Sequence, residues 1–450
     1  MTVNPADSPV LGALYGTEAM RAVMGERAFL QRMLDVEAAL ARAQARLGIL
    51  PPEAAAAITQ AAQVDRLDLP ALAAATRNTG YPVVGLVRQL SALAGPEAGR
   101  WTHWGATTQD IMDSAVVLQV RQALALLRGD LLALNAALGR MAEAHRHTVM
   151  AGRTHLQQAL PVTFGYKVAV WLSPLVTMRE RLDQLRPRVE KLQFGGAAGT
   201  LASLGDQGLA VQEELARELG LAVPDIPWHV ARDGLAEALC FLGLLCGALS
   251  KLATDVMLLM QTEVAEVAEP HQAGRGGSST MPQKRNPIAC EYILAQSRGV
   301  HALVPQMLAA MAQDLERGTG PWQAEALAIG QSFALAHGAL MQARVIAEGL
   351  TVDAARMRRN LDSTGGLIVA EQVMMGLAPA LGRGEAHHVV NHACDLALAR
   401  GLPLATVLMQ DQQVAGRMSE AEVAALCDPS AYLGSTQPFI DKVLARLDGA

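Results

Sequence analysis

Residues 111–147 read IMDSAVVLQVRQALALLRGDLLALNAALGRMAEAHRH. Leu118, Val120, Leu124, Leu127, Leu131, Leu132, Leu134, Leu138 and Met141 are spread round this segment rather than held on one stripe, which predicts an unusually long helix buried against several neighbours. Comparable patterns run from Thr163 to about Leu192, from Arg232 to about Ala268, from Ile288 to Gln313 and from Trp322 to about Gly349. Five long helices in mid-chain predict a bundle. Aromatic residues are only 4% of the chain, while Ala and Leu are abundant, so close-packed helices are favoured over strands and the fold class is all-α.

On the N-terminal side, Leu30, Met33, Leu34, Val36, Leu40 and Leu47 mark one helix over about Ala22–Leu47, stopped by Gly48 and Pro51-Pro52. A second helix is expected from Pro52. From about Leu361 the tail carries shorter helices. The expected division is therefore 1–110, 111–360 and 361–450, with a functional loop at 274–287 in the middle part.

With 450 residues the chain can bury a large core, and a net charge of −6 with 18% charged residues leaves no basic stripe for nucleic acid. Five cysteines make no CxxC pair and leave an odd count, which fits packing residues in a reducing compartment. MTVNPADSPV has neither a basic nor an apolar signal region. The apolar run Ala238–Ser250 is shorter than the roughly 20 residues of a membrane span. The expectation is a cytoplasmic protein with no membrane and no nucleic-acid partner.

Three segments break the helical pattern with reactive side chains. Gly274–Asn286 reads GRGGSSTMPQKRN. Its glycines and Pro282 exclude a helix, and Ser278, Ser279, Lys284 and Asn286 suit chemistry on an anion; a flexible glycine-serine turn is the plain alternative. Trp101–Asp110 reads WTHWGATTQD. Here Thr107, Thr108 and Asp110 either cap the following helix or, with His103 and Gln109, help hold a carboxylate at a helix start. Gly152–Ala159 reads GRTHLQQA, where His155 beside Thr154 and Gln157 is either a capping group next to a helix start or a proton carrier. Arg317, in a glycine-rich turn, is a surface cation or a bidentate anion ligand. His387, His388 and His392 include a metal-compatible i,i+4 pair without a third ligand, so no metal is expected.

Brought together, a hydroxyl base, a histidine and many donors suit proton exchange beside a carboxylate, with a doubly charged aci-carboxylate as intermediate. No cofactor is needed. Ser278 requires a stabilised alkoxide to act as base, and Lys284 with the amides of Gly276–Ser279 are the candidates to provide it.

Gly277–Pro287, GSSTMPQKRNP, resembles the G-S-S-x-M-P-x-K-x-N signature of the fumarase/aspartase superfamily, and Gly152-Arg153-Thr154-His155-Leu156-Gln157 resembles its second block. That resemblance implies three helical domains, a central five-helix bundle and a homotetramer whose active sites are shared between subunits. It implies Ser278 as the catalytic base and His155 as a catalytic or positioning residue. The substrate, a small di- or tricarboxylate, would meet His103, Thr107, Thr108, Gln109, Thr154, Gln157, Ser279, Lys284, Asn286 and Arg317. Gly105–Asp113, Leu192–Ala202, Pro227-Trp228-His229 and Val352–Leu361 look most like the 3-carboxy-cis,cis-muconate cycloisomerase branch, which lies beside adenylosuccinate lyase. The expected reaction is therefore lactonisation of 3-carboxy-cis,cis-muconate, in protocatechuate catabolism. Gln283 and His155 are lyase-like choices and keep open a carbon-nitrogen lyase that releases fumarate from an N-substituted aspartate. A non-catalytic structural oligomer is the third reading.

Overall fold

The computed structural model describes residues 4–270, 277, 280, 281 and 283–448. The fold is all-α apart from two two-stranded ribbons among these residues. The long helices are Thr108–Ala144, Phe164–Val189, Asp233–Met260, Ile288–Ala310 and Ile329–Gly349, close to where the apolar patterns predict them. The stretch expected from Trp322 to about Gly349 is broken into Pro321–Glu325 and Ile329–Gly349, and the one expected to reach about Ala268 stops at Met260. The chain divides into two compact units, 1–131 with 178–250 and 292–342, and 132–177 with 251–291 and 343–450. Those cuts fall inside the long helices, not between successive stretches of chain.

In the first unit Glu26–Arg46 buries Leu30, Met33, Leu34, Val36 and Leu40 against Ile58, Leu86, Leu90, Ile111 and Leu215. The single helix expected over Ala22–Leu47 is two, because Gly25 adopts an extended ψ of 161° between Glu18–Met24 and Glu26–Arg46. Thr17 caps the first of them, its Oγ1 accepting from the Met20 amide at 3.1 Å. The same hydroxyl meets His337 Nδ1 at 2.7 Å, and His337 Nε2 meets Asp130 at 2.8 Å, which ties the N-terminal segment to two long helices.

The second unit holds β1 (Val149–Thr154) and β2 (Gln157–Thr163), paired antiparallel from Val149↔Thr163 to Thr154↔Gln157. The expectation that His155 lies beside a helix start is corrected here. His155 and Leu156 are the two residues at a hairpin tip, with φ of 49° and 64°. Positive φ at both positions is the pattern of a type I′ turn, for which Asn-Gly is the usual sequence signal. Ala151 beneath the hairpin packs with Leu361, Ile368 and Val369. A separate core joins Val373, Leu377, Val389, Leu404, Leu408 and Val423 of the C-terminal helices. The second ribbon pairs β3 (Val267–Ala268) with β4 (Thr351–Val352). Just beyond β3, the Glu269 carboxylate accepts from the Ala289 and Cys290 amides at 3.0 and 2.9 Å, capping Ile288–Ala310 from outside the helix.

By length and composition Asp233–Met260, with a mean hydropathy of 1.7 over its best window, is long enough to cross a membrane, although 56% of that window is buried inside the protein. The shorter run noted in the sequence stopped at Lys251, but the helix continues past it. That degree of burial is the pattern of a core helix.

Candidate active site

The residues singled out from the sequence form two groups, one in each unit. In the first unit, Trp101–Gly105 is a turn leading into the Thr108–Ala144 helix. Asp110 supplies the cap, its Oδ2 accepting from the Thr107 amide at 3.0 Å. The hydroxyls of Thr107 and Thr108 have no hydrogen-bond partner among the described residues, so they are not the capping groups.

Asp110 is fully buried and does more than cap. Its carboxylate also accepts from the amides of Gly195 and Gly196, both at 2.9 Å, and from Gln193 Nε2 at 3.2 Å. His229 Nε2 stands 2.7 Å from Oδ1. One carboxylate thereby pins the 193–196 loop and the His229 loop to the helix start.

Gln109 is equally buried and its side chain is wholly engaged. Nε2 donates to Asp113 Oδ2 at 3.0 Å and to the His229 carbonyl at 2.9 Å, while Oε1 accepts from Arg317 at 3.0 Å. Gln109 therefore positions Arg317. The Arg317 guanidinium also donates to the Gly196 and Ala197 carbonyls at 3.3 and 2.6 Å. All of these partners are neutral, which leaves a fixed cation whose charge is unbalanced by any ion pair among the described residues.

His103 has φ 61° and rests on a charge that the sequence reading missed. Its backbone amide donates to Glu37 Oε2 at 3.1 Å and its Nδ1 lies 2.6 Å from Glu37 Oε1. Burial pulls the imidazole pKa down, but the charge and hydrogen bond of Glu37, with Asp110 at longer range, outweigh it and hold the pKa above the ordinary value. A signal was available: Glu37 sits on the stripe of Leu30, Met33, Leu34 and Leu40, where a charge is out of place unless it has a partner.

Behind this group, Arg232 lies between Asp113 and Glu325. Its guanidinium donates to both Asp113 oxygens at 2.6 and 3.0 Å and to both Glu325 oxygens at 2.8 and 2.6 Å. The Trp322 indole donates to Asp113 at 3.0 Å, and Arg232 stacks over Trp228 at 4.9 Å. Burial, and then the neighbouring Asp113 charge, raise the Glu325 pKa against the pull of Arg232.

In the second unit, Thr154, His155, Leu156 and Gln157 are all exposed at the hairpin tip. The hairpin is anchored below by Arg153, which donates to fully buried Glu266 at 2.7 and 3.0 Å. Asn360 Nδ2 donates to the same carboxylate at 2.8 Å, and Gln158 Nε2 donates to the Asn360 carbonyl at 3.0 Å. Ala265, at φ 50°, turns the chain at Glu266. Lys284 is exposed, Asn286 is half-buried, and Gly277 bridges to Arg285. Ser278 and Ser279 lie outside the described residues.

Among the described residues no cluster of three His, Cys, Asp or Glu side chains could hold a metal ion. His387, His388 and His392 are exposed on Arg383–Arg400. All five cysteines are free, and burial pushes the Cys246 thiol up to about 12 and the Cys427 thiol up to about 11, so these two are packing groups, not nucleophiles.

The lyase family profile matches residues 15–301, and the profile of the adenylosuccinate lyase C-terminus matches residues 366–443. The 3-carboxy-cis,cis-muconate cycloisomerase of Pseudomonas aeruginosa is 48% identical, over 99% of this chain and 98% of its own length. The crystal structure of 3-carboxy-cis,cis-muconate lactonizing enzyme from Pseudomonas putida aligns with a TM-score of 0.94 at 44% identity, covering 98% of this chain and 99% of that one. The crystal structure of fumarate lyase from Mesorhizobium sp. BNC1 aligns with a TM-score of 0.91 at 50% identity, covering 96% and 98%. The resemblance read from the signature blocks thus extends over nearly the whole chain, which belongs to the lyase family of enzymes in the fumarase/aspartase superfamily.

Proposed function

We propose that the protein lactonises 3-carboxy-cis,cis-muconate without a cofactor. The observation that carries this reading is near-complete alignment, at 44% and 48% identity, with two proteins named for that substrate. In the reaction one substrate carboxylate oxygen adds to a carbon-carbon double bond. The displaced electron pair enters a second carboxylate as an aci-carboxylate, the Ser278 hydroxyl delivers its proton to the adjacent carbon, and the alkoxide left behind is reprotonated from solvent. Nothing leaves, so the step is an isomerisation. Lys284, Asn286, Thr107, Thr108 and Arg317 are the donors assigned to the substrate's carboxylates, with Thr154, Gln157 and Ser279 beside them. His155 serves as a proton carrier or orienting group.

Assembly into a homotetramer with shared sites is part of this proposal. Leu156 is 74% exposed at the hairpin tip, and Leu244 and Leu308, on two long helices, are 51% and 47% exposed. A tetramer is expected to cover these side chains. Light scattering is expected to give four times the chain mass; a stable monomer would remove both the tetramer and the shared site. A cytoplasmic location is proposed with it, supported by the five free thiols.

A carbon-nitrogen lyase is the second reading, favoured by Gln283 and by a histidine held at the exposed hairpin tip. The purified protein is expected to bleach the conjugated-diene absorbance of 3-carboxy-cis,cis-muconate. No bleaching, with fumarate appearing instead from N-substituted aspartates, would move the protein to the lyase reading.

A further inference from the structure

We infer that Glu37 is a positioning residue that turns His103 so that its Nε2–H is left for a substrate carboxylate. This rests on the proposed tricarboxylate substrate and on the expectation from the sequence that His103 meets one of its carboxylates. Three features of the first unit carry it. The Glu37 carboxylate is almost fully buried and uses one oxygen for the His103 amide and the other for Nδ1, so it fixes backbone and ring together. The backbone is held at φ 61°, a left-handed conformation uncommon outside glycine. The remaining ring nitrogen, Nε2, has no hydrogen-bond partner among the described residues. A buried or half-buried polar group is normally satisfied, so a ring fixed at one nitrogen and open at the other is arranged for a ligand.

The sign of the charge follows from the neighbours. Glu37, on Glu26–Arg46, and Asp110, at the start of Thr108–Ala144, are the titratable groups whose charges act on the ring. Asp110 already receives the Thr107, Gly195 and Gly196 amides, Gln193 and His229, so Glu37 is the one bonded to the imidazole. With Nδ1–H donated to Glu37, the neutral ring has only a lone pair at Nε2, which repels a carboxylate. The charged ring has a second N–H and attracts one. Because His103 is held above its ordinary pKa, its charged form persists to higher pH and is lost as pH rises through that value.

The test uses the full-length protein and tricarballylate, a saturated tricarboxylate that cannot react. Its binding is measured by calorimetry from pH 6 to 9 in two buffers of different ionisation enthalpy. Glu37→Gln keeps the shape of the side chain and removes its charge. Affinity should be about tenfold weaker than the wild type at pH 8 and approach it as pH falls, with more proton uptake on binding than the wild type shows. Glu37→Asp should recover part of the difference, and His103→Gln should be weak throughout with no uptake. Identical pH dependence in the wild type and Glu37→Gln, at unchanged melting temperature, would overturn the pairing alone. No tricarballylate binding by the wild type would overturn the carboxylate-site reading beneath it, and this inference with it.

Discussion

Arg232→Met is expected to destabilise the protein by about 3–5 kcal/mol, because it leaves two buried carboxylates without their shared cation. Arg232 is 2% exposed, and Asp113 and Glu325 are nearly as inaccessible. Methionine replaces the volume of the side chain but neither the four hydrogen bonds nor the stacking on Trp228. The deficit should also depend on pH. Glu325 already titrates above its usual range through burial, so its ionised form opposes folding, and removing Arg232 strengthens that opposition. A carboxyl raised in the folded state supports folding below its unfolded pKa and loses that support as pH rises through the folded value. Urea unfolding should show a larger deficit at pH 8 than at pH 5. A loss below about 1 kcal/mol, equal at both pH values, would mean that water reaches the cluster and that the ionic contacts contribute little.

Ser278→Ala is expected to lower kcat for 3-carboxy-cis,cis-muconate by about 10²–10⁴-fold, the range associated with a positioned acid or base. KM should change little, since the hydroxyl acts on the proton and the carboxylates are held by other groups. Near wild-type turnover in Ser278→Ala, with Ser279→Ala inactive, would transfer the role to the second serine. Two near wild-type variants would remove a serine base altogether.

The long helices were legible because their apolar residues recur with helical spacing over 21 residues or more. The break at Gly25 was not, since the hydrophobic stripe runs straight through it and only backbone geometry divides it. The β1–β2 hairpin was also hidden. Its tip is His155-Leu156, neither residue favours positive φ, and the conformation is held from outside by contacts such as Arg153 with Glu266. The segments proposed to bear the chemistry stand out by composition, whereas the contacts that support them do not. Asp113, Arg232 and Glu325 meet across separations of 119 and 93 residues, and no local pattern announces such a meeting. Glu37 was readable in part, as a charge in an apolar stripe. Gln109 was identified as a ligand from its neighbours in sequence, whereas its three hydrogen bonds make it the support of Arg317.

The Glu269 cap has a consequence for how this chain can change. One carboxylate fastens residue 269 to the first turn of a helix 20 residues further on, so the signature segment is a circuit closed at its base. Closure entropy grows only with the logarithm of loop length, so insertions and exchanges inside such a circuit cost little, and the rim holds the adjoining helix in register whatever the interior contains. The reactive residues can therefore vary separately from the frame that carries them. A lineage keeping Glu269 and the amides of Ala289 and Cys290 could trade one proton-transfer chemistry for another within a single loop, with no new fold to find.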